Sequence, residues 1–469
     1  MMNKYEKPNI SLHPNAFLAR NPDLEELYCL YCEPPTADEA AGLCQGNVFR
    51  YRDGYVLIFT NPGGISELEA LFSRAGTHAG ICGPYTRALT AYGCAEKAYA
   101  AAEFGSELEP AVFLHHYANS RLWIFVELAD KIITGENLSI NDFCHGSVFD
   151  ICEYDRLEGA SYRTTLMAYL RAGCNLRAAA ESIGVHRNTL AYRKKRLEEL
   201  FDIDLNDANT CFELLFSIIA LEASGIDWDA YRKPREGSCR QAELDRVLWQ
   251  LAEHREITGT PDCVCRLLMM DVSHMQDDRI ASLYRAAEER FPWSAAAYND
   301  DFVYILSEAR RAAPESFHTM LCEHGCRGAV SQPFQCARLG LHAELLSHIL
   351  PATKRLFPDS ALFMAKDYCS LAFFSYMQRR TPLEPYYCDE VMRVMDHDYK
   401  KGTTLAKSLY TYLSSFMDMI GAAHEASIHR NTLEYQIKKA LAIANAPQPG
   451  DLLRFEMTCT YKMLIASED

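Results

Sequence analysis

The chain is written twice. Residues 185–197 read VHRNTLAYRKKRL and residues 428–440 read IHRNTLEYQIKKA, an offset of 243 with 7 of 13 positions identical. The same offset, without a gap, pairs Asp155 with Asp398, Gly159 with Gly402, Tyr169-Leu170 with Tyr412-Leu413, Ala179-Ala180 with Ala422-Ala423, Phe212-Glu213 with Phe455-Glu456, and Leu221 with Leu464. A gapless correspondence over about 75 residues means that one small domain occurs twice. Upstream the correspondence drifts: Phe49–Phe59 is similar to Ala297–Leu306, Gly80–Tyr85 to Gly328–Phe334, and Val112–Tyr117 to Phe363–Tyr368.

This repeat sets the expected architecture, a multidomain α+β chain of two tandem halves. Each half is an α+β sensor-like domain followed by an all-helical one. The expected boundaries are 1–135, 136–223, a linker at 224–245, 246–380 and 381–469. Ser224–Arg240 (SGIDWDAYRKPREGSCR) has the Gly, Pro and charge content of a linker. In the upstream domain, Phe49–Arg52 and Tyr55–Thr60 read as strands joined at Asp53-Gly54, with the glycine supplying positive φ. Thr90–Ala102 is rich in alanine and lacks proline, so it reads as a helix. Downstream, Tyr162–Leu170, Leu176–Ile183, Arg187–Phe201 and Cys211–Ala223 read as helices separated by Gly or Asn.

Charge narrows the function. The chain has 47 Lys+Arg against 63 Asp+Glu, a net charge of −16. It is therefore no general polyanion binder, and nucleic-acid contact requires a local basic patch. Residues 175–196 supply one, with six Lys/Arg and one acid, or +5. Asn175 is a good N-cap, Gly184 can adopt a left-handed C-cap, and Arg187 opens a longer helix. A short helix, a tight turn and a basic helix make a helix-turn-helix, whose second helix enters the major groove of DNA. At 100° per residue Leu190, Leu197 and Phe201 face the core. His186, Arg187, Asn188, Thr189, Tyr192, Lys195 and Arg196 then face outward or sit at the helix start. Arg187 and Asn188 suit guanine and adenine edges, whereas Arg193, Lys194 and Lys195 suit phosphates. In the second copy, His429, Arg430, Asn431 and Thr432 survive as secondary candidates. Gln436 and Ile437 replace Arg193 and Lys194, Glu434 is added, and residues 418–439 are net neutral. The first copy is therefore the expected main reader.

The segment HRNTLAYRKKRLEEL, with Asp204-Leu205-Asn206-Asp207 after it, resembles the C-terminal helix-turn-helix of PucR/CdaR-type bacterial transcriptional regulators, and NLRAAAESIGVHR also resembles the Fis type. Gly80–Tyr85, the alanine-rich helix and AVFLHHY resemble the late segments of a degenerate GGDEF-like domain. The resemblance implies sequence-specific binding of a double-stranded operator, a homodimer and a small-molecule effector acting upstream. Two features depart from that family: the tandem copies, and Lys194 where an apolar residue is usual. An interaction or signalling protein that has lost operator binding is the alternative.

Other constellations point elsewhere. No apolar run reaches the roughly 20 residues of a membrane span. Met1–Phe17 has no apolar core, so a cytoplasmic chain with its 18 cysteines as thiols is expected. Cys29 and Cys32 sit three apart in a strand and face opposite ways, so they cannot share an ion. Cys322, His324, Cys326 and Cys336 are the better metal set by residue type, but free or structural thiols are expected there too. Gly63–Glu67 (GGISE) lacks the acids of a cyclase. His115-His116 reads as one packed and one exposed histidine. No phosphate loop, nucleophile elbow or dinucleotide fingerprint is present. No enzyme, catalytic residue, metal or cofactor is expected.

Overall fold

The computed structural model describes residues 27–467 except 35, 61–63, 86–90, 109, 137, 227–238, 312–315, 357–359, 416 and 417. Met1–Phe17, Thr90 and most of the expected linker lie outside the described residues. The fold is mixed α/β, with two sheets and many helices.

The first sheet comes from β1 (Leu27–Cys32), α1 (Ala37–Cys44), β2 (Asn47–Tyr51), β3 (Gly54–Phe59), α2 (Ile65–Ala75), β4 (Ala79–Tyr85), α3 (Ala91–Leu108), β5 (Leu114–His116) and α4 (Tyr117–Gly135). Its strand order is β2-β3-β1-β4-β5, antiparallel except for the last pair. Strand alternation divides the core: Cys29, Tyr31, Val56 and Ile58 face α3 and α4, while Leu30, Cys32, Leu57 and Phe59 face α1 and α2. Cys29 and Cys32 thus lie on opposite faces. The alanines of α3 have a physical reason: a Cβ on Gly80 of β4 would overlap the Ala98 carbonyl oxygen, so helix and strand backbones nearly touch.

The hairpin differs from expectation by one residue. Tyr51 pairs with Gly54, so Arg52-Asp53 form the turn and Arg52 carries the positive φ of 51°. Gly54 is required for another reason. A Cβ there would meet the Cys32 carbonyl oxygen at 2.6 Å. In the GGISE segment Gly63 lies outside the described residues, and Ile65 and Ser66 open α2. His115 is buried with its Nε2 3.0 Å from His78 Nδ1, and His116 is half-buried.

The first helical stretch contains α5 (Gly146–Glu158), α6 (Tyr162–Arg171), α7 (Leu176–Ser182), α8 (Arg187–Phe201) and α9 (Ala208–Ala223). The second sheet region contains α10 (Gln241–Ala252), β6 (Val264–Asp271), α11 (Asp277–Arg290), β7 (Ala295–Tyr298), β8 (Phe302–Glu308), α12 (Ser316–His324), β9 (Arg327–Val330), β10 (Phe334–Gln335), α13 (Leu339–Leu356), β11 (Leu362–Met364) and α14 (Cys369–Gln378). Its order, β7-β8-β6-β9-β11 with β10 on β6, follows the strand sequence of the first sheet position for position, including the final parallel pair. The last helices are α15 (Asp389–Lys401), α16 (Leu405–Ser414), α17 (Met419–Glu425), α18 (Arg430–Ile443) and α19 (Asp451–Ser467).

Packing groups these segments across the sequence. One compact unit takes Met1–Ile132 with Pro382–Tyr412 and Met419–Thr460; the other takes Ile133–Thr381 with Leu413–Asp418 and Tyr461–Asp469. The first sheet therefore shares a unit with α18, and the second sheet with α8. In the first unit, buried Lys97 donates to Asp389 at 2.8 Å and to the Tyr387 carbonyl at 3.0 Å, and Arg121 pairs with Glu456 at 2.7 Å. In the second, Glu213 is fully buried and accepts from the Ser370 amide and hydroxyl, both at 2.7 Å, and from Lys462 at 2.8 Å. Glu213 and Glu456 lie 243 residues apart in the sequence, and each receives donors from the helix that follows the last strand of the sheet in its own unit.

Candidate nucleic-acid interface

Local bonds fix the two-helix element of the second unit. The Asp155 carboxylate accepts the amides of Tyr162 and Arg163 at 2.8 Å and so caps α6. Asn175 Oδ1 caps α7, accepting from the Arg177 and Ala178 amides at 3.0 and 3.1 Å. Ala179 and Ala180 are buried, and Gly184 turns the chain with φ 66°. His186 Nδ1 accepts the Asn188 amide at 3.2 Å and caps α8. Leu190 and Leu197 are buried, and Phe201 packs edge-on against Tyr154.

The outward face assembles most of the expected residues. His186, Arg187, Asn188, Thr189, Tyr192 and Lys195 are exposed, Tyr192 at 64%. Among the described residues no acid lies within ion-pair distance of Arg187. Arg196 is half-exposed and bound to Glu199 at 2.7 Å. Lys195 lies 3.7 Å from the same Glu199. Extending the count to residue 201 adds Glu198 and Glu199 and lowers the patch from +5 to +3.

Two cations expected on phosphates face elsewhere. Arg193 is half-buried, with Nη1 3.4 Å from Thr165 Oγ1 on α6. Lys194 is nearly enclosed. Its amine donates to Glu198 at 2.6 Å and Asn206 at 3.1 Å, above the Tyr169 ring. The helical wheel carried this signal, because i+4 from Leu190 falls only about 40° from the core stripe. That inward direction also explains why an apolar residue suits the position: Ile437, its repeat equivalent, is buried with Leu433, Ala422 and Ala423.

The second copy, in the other unit, repeats this geometry. His429 Nδ1 accepts the Asn431 amide at 3.2 Å. Arg430, Asn431, Thr432 and Lys438 are exposed, as is Tyr435 at 66%. Gln436 accepts from the Ser408 hydroxyl at 2.8 Å, the contact that Arg193 makes to Thr165. The replacements at 436 and 437 therefore fall on the inner side, and the outward set His-Arg-Asn-Thr, Tyr and Lys is kept. What distinguishes the copy is Glu434, 2.8 Å from Lys438.

A capped short helix, a left-handed turn and a second helix with a polar, basic exposed N-terminal face form a helix-turn-helix of the DNA-binding class. Residues 162–220 match the PucR C-terminal helix-turn-helix domain, and the chain carries that domain. The DNA-binding transcriptional activator AdeR of Bacillus subtilis is 33% identical over 66 residues, covering 14% of this chain and 16% of that protein. The proline-responsive transcriptional activator PutR of Bacillus subtilis is 38% identical over 58 residues, covering 12% and 14%. The chain thus aligns with about a sixth or less of each relative's length. A solved structure, the regulator of polyketide synthase expression from Bifidobacterium adolescentis, aligns with 48% of this chain and 94% of its own at 14% identity and a TM-score of 0.23. Among the described residues, no helix is long and apolar enough to cross a membrane.

Proposed function

We propose that the whole chain is a DNA-binding transcriptional regulator of the PucR type. It has two tandem halves divided at 1–135, 136–223, 224–245, 246–380 and 381–469. The reading rests chiefly on the exposed start of α8, where His186, Arg187, Asn188, Thr189, Tyr192 and Lys195 are presented together. Arg187 and Asn188 read base edges, and Lys195 and Arg196 meet phosphate. Arg193 positions the helix from behind. His429, Arg430, Asn431 and Thr432 form a secondary reader, weaker because Glu434 competes with phosphate for Lys438.

The partner is a double-stranded operator, bound by a cytoplasmic homodimer that responds to a small-molecule effector. The chain performs no catalysis in this reading. A mobility-shift titration against the DNA upstream of the protein's own coding region, at fixed salt, tests the proposal. Saturable binding that survives excess unrelated duplex and is lost in Arg187→Ala supports it. Binding indifferent to both duplex sequence and Arg187 overturns it.

A further inference from the structure

Three thiols meet at one end of the second sheet, and a fourth stands beside them. Cys263 and Cys265 flank Val264 at the start of β6, and residues two apart in an extended segment face the same way. β10 pairs antiparallel with this end of β6, Phe334 opposite Cys265. That register carries Cys336 across, where its amide donates to the Cys263 carbonyl at 3.0 Å. The three Sγ atoms lie within 4.8 Å of one another, and all three residues are fully buried. Cys263 and Cys265 are 3.6 Å apart, Sγ to Sγ. Cys239, just before α10, has its thiol 3.7 Å from Glu308, the β8 residue that pairs with Cys265. The set expected from residue type is not assembled: Cys322 is exposed beside His318, and Cys336 belongs to the other group.

We propose that Cys239, Cys263, Cys265 and Cys336 bind one zinc ion through four thiolates. Zinc takes four sulfur ligands tetrahedrally at about 2.3 Å, which puts neighbouring sulfurs about 3.8 Å apart. The observed spacing already approaches that edge. Four S–H bonds give way to four Zn–S bonds, and the four protons leave to solvent. Three ligands are held by a strand pair, so little ordering remains to be done on binding. Cys239 is only half-buried and provides the entry path.

The surroundings suit a negatively charged centre. Glu308 accepts the Cys239 amide at 3.0 Å, and its charge is offset by Arg310 and Arg311 at 2.9 and 3.1 Å. The ion would staple residue 239 to the sheet and so fix the point where the chain enters α10.

The test uses the full chain under reducing conditions. Protein purified without chelator should carry one zinc per chain by mass spectrometric metal analysis. Metal-free protein titrated with Co²⁺ should develop thiolate-to-cobalt charge-transfer bands and tetrahedral d–d bands. Cys265→Ser and Cys336→Ser should lose the metal. The half-buried position gives a milder variant, so Cys239→Ser should keep its circular dichroism and bind Co²⁺ at least tenfold more weakly. Cys322→Ser should bind like the parent. Absence of zinc together with absence of cobalt bands in the parent overturns the proposal. Unchanged stoichiometry and affinity in Cys239→Ser, or a disulfide between two of the four in the protein as isolated, overturns it equally.

Discussion

Arg121 and Glu456 stand 335 residues apart and meet in a buried pair, Arg121 Nη2 2.7 Å from Glu456 Oε2. The pair ties the first sheet region to the last helix within one unit. In the other unit, Glu213 holds the helix that follows the second sheet. Two carboxylates 243 residues apart in the sequence therefore do the same work in the two units, through donors of different type.

Removing Glu456 leaves the buried Arg121 guanidinium, among the described residues, with Glu390 at 3.3 Å as its remaining ion-pair partner, so its charge is only partly compensated. Glu456→Met should cost about 3–5 kcal/mol of stability. Arg121→Met with Glu456→Met should recover most of that loss, because similar apolar volume replaces both charges. Urea melts of the singles and the double check this. Additive losses would show that the two residues are not coupled.

Two buried histidines make the second unit acid-sensitive. Burial, with Lys366 nearby, lowers His145 to about 3, and burial, with Arg338 nearby, lowers His342 to about 3. Below the ordinary value of about 6.5, the unfolded chain takes up protons that the folded one refuses. Stability is therefore full above about 6.5 and falls as pH drops toward 3, by about 1.4 kcal/mol per pH unit for each histidine. Thermal melts from pH 7.5 to 5 should show the loss. His145→Asn keeps a cap acceptor for the Ser147 amide and should flatten the slope by about half of this contribution. An unchanged slope in that variant would remove His145 from the account.

Arg187→Ala should weaken operator binding by about 1–3 kcal/mol and relax specificity at one base pair. Lys195→Ala should weaken all duplexes alike and reduce the salt slope by about one ion. Lys194→Met should do neither, since its amine is spent on Glu198 and Asn206. Titrations at several salt concentrations separate the three. A salt-slope change in Lys194→Met would place that amine on DNA.

Glu434→Ala releases Lys438 and removes an anion from the second copy's helix. It should tighten DNA binding and steepen the salt dependence. Arg430→Ala should lose less affinity than Arg187→Ala. Equal losses on the same duplex would make the two copies equal readers.

Local rules carried much of this fold. Asn175, Gly184, Leu190 and Leu197 act where capping, left-handed turns and helical period put them, and Cys29 and Cys32 part to opposite faces as strand alternation requires. Errors arose where neighbours decide. Gly54 answers to the approaching β1 backbone rather than to the turn. Arg193 and Lys194 have long stems that bring charge to partners on α6 and on the residue 204–207 turn. The thiol group depends on the register of β10 against β6, and the packing of the first sheet with helices far along the sequence depends on contacts between residues hundreds apart. Neither leaves a periodic trace in the chain.

The histidine cap on α8 also settles where a proton resides. An imidazole whose Nδ1 accepts the Asn188 amide must carry its hydrogen on Nε2. The ring thus cannot serve as an acceptor toward the double helix while it caps. It offers a single N–H, from the residue just before Arg187, and His429 is committed in the same way by Asn431. The His-Arg pair at each helix start is therefore a purely donating surface, matched to phosphate oxygens and to the O6 and N7 edge of guanine.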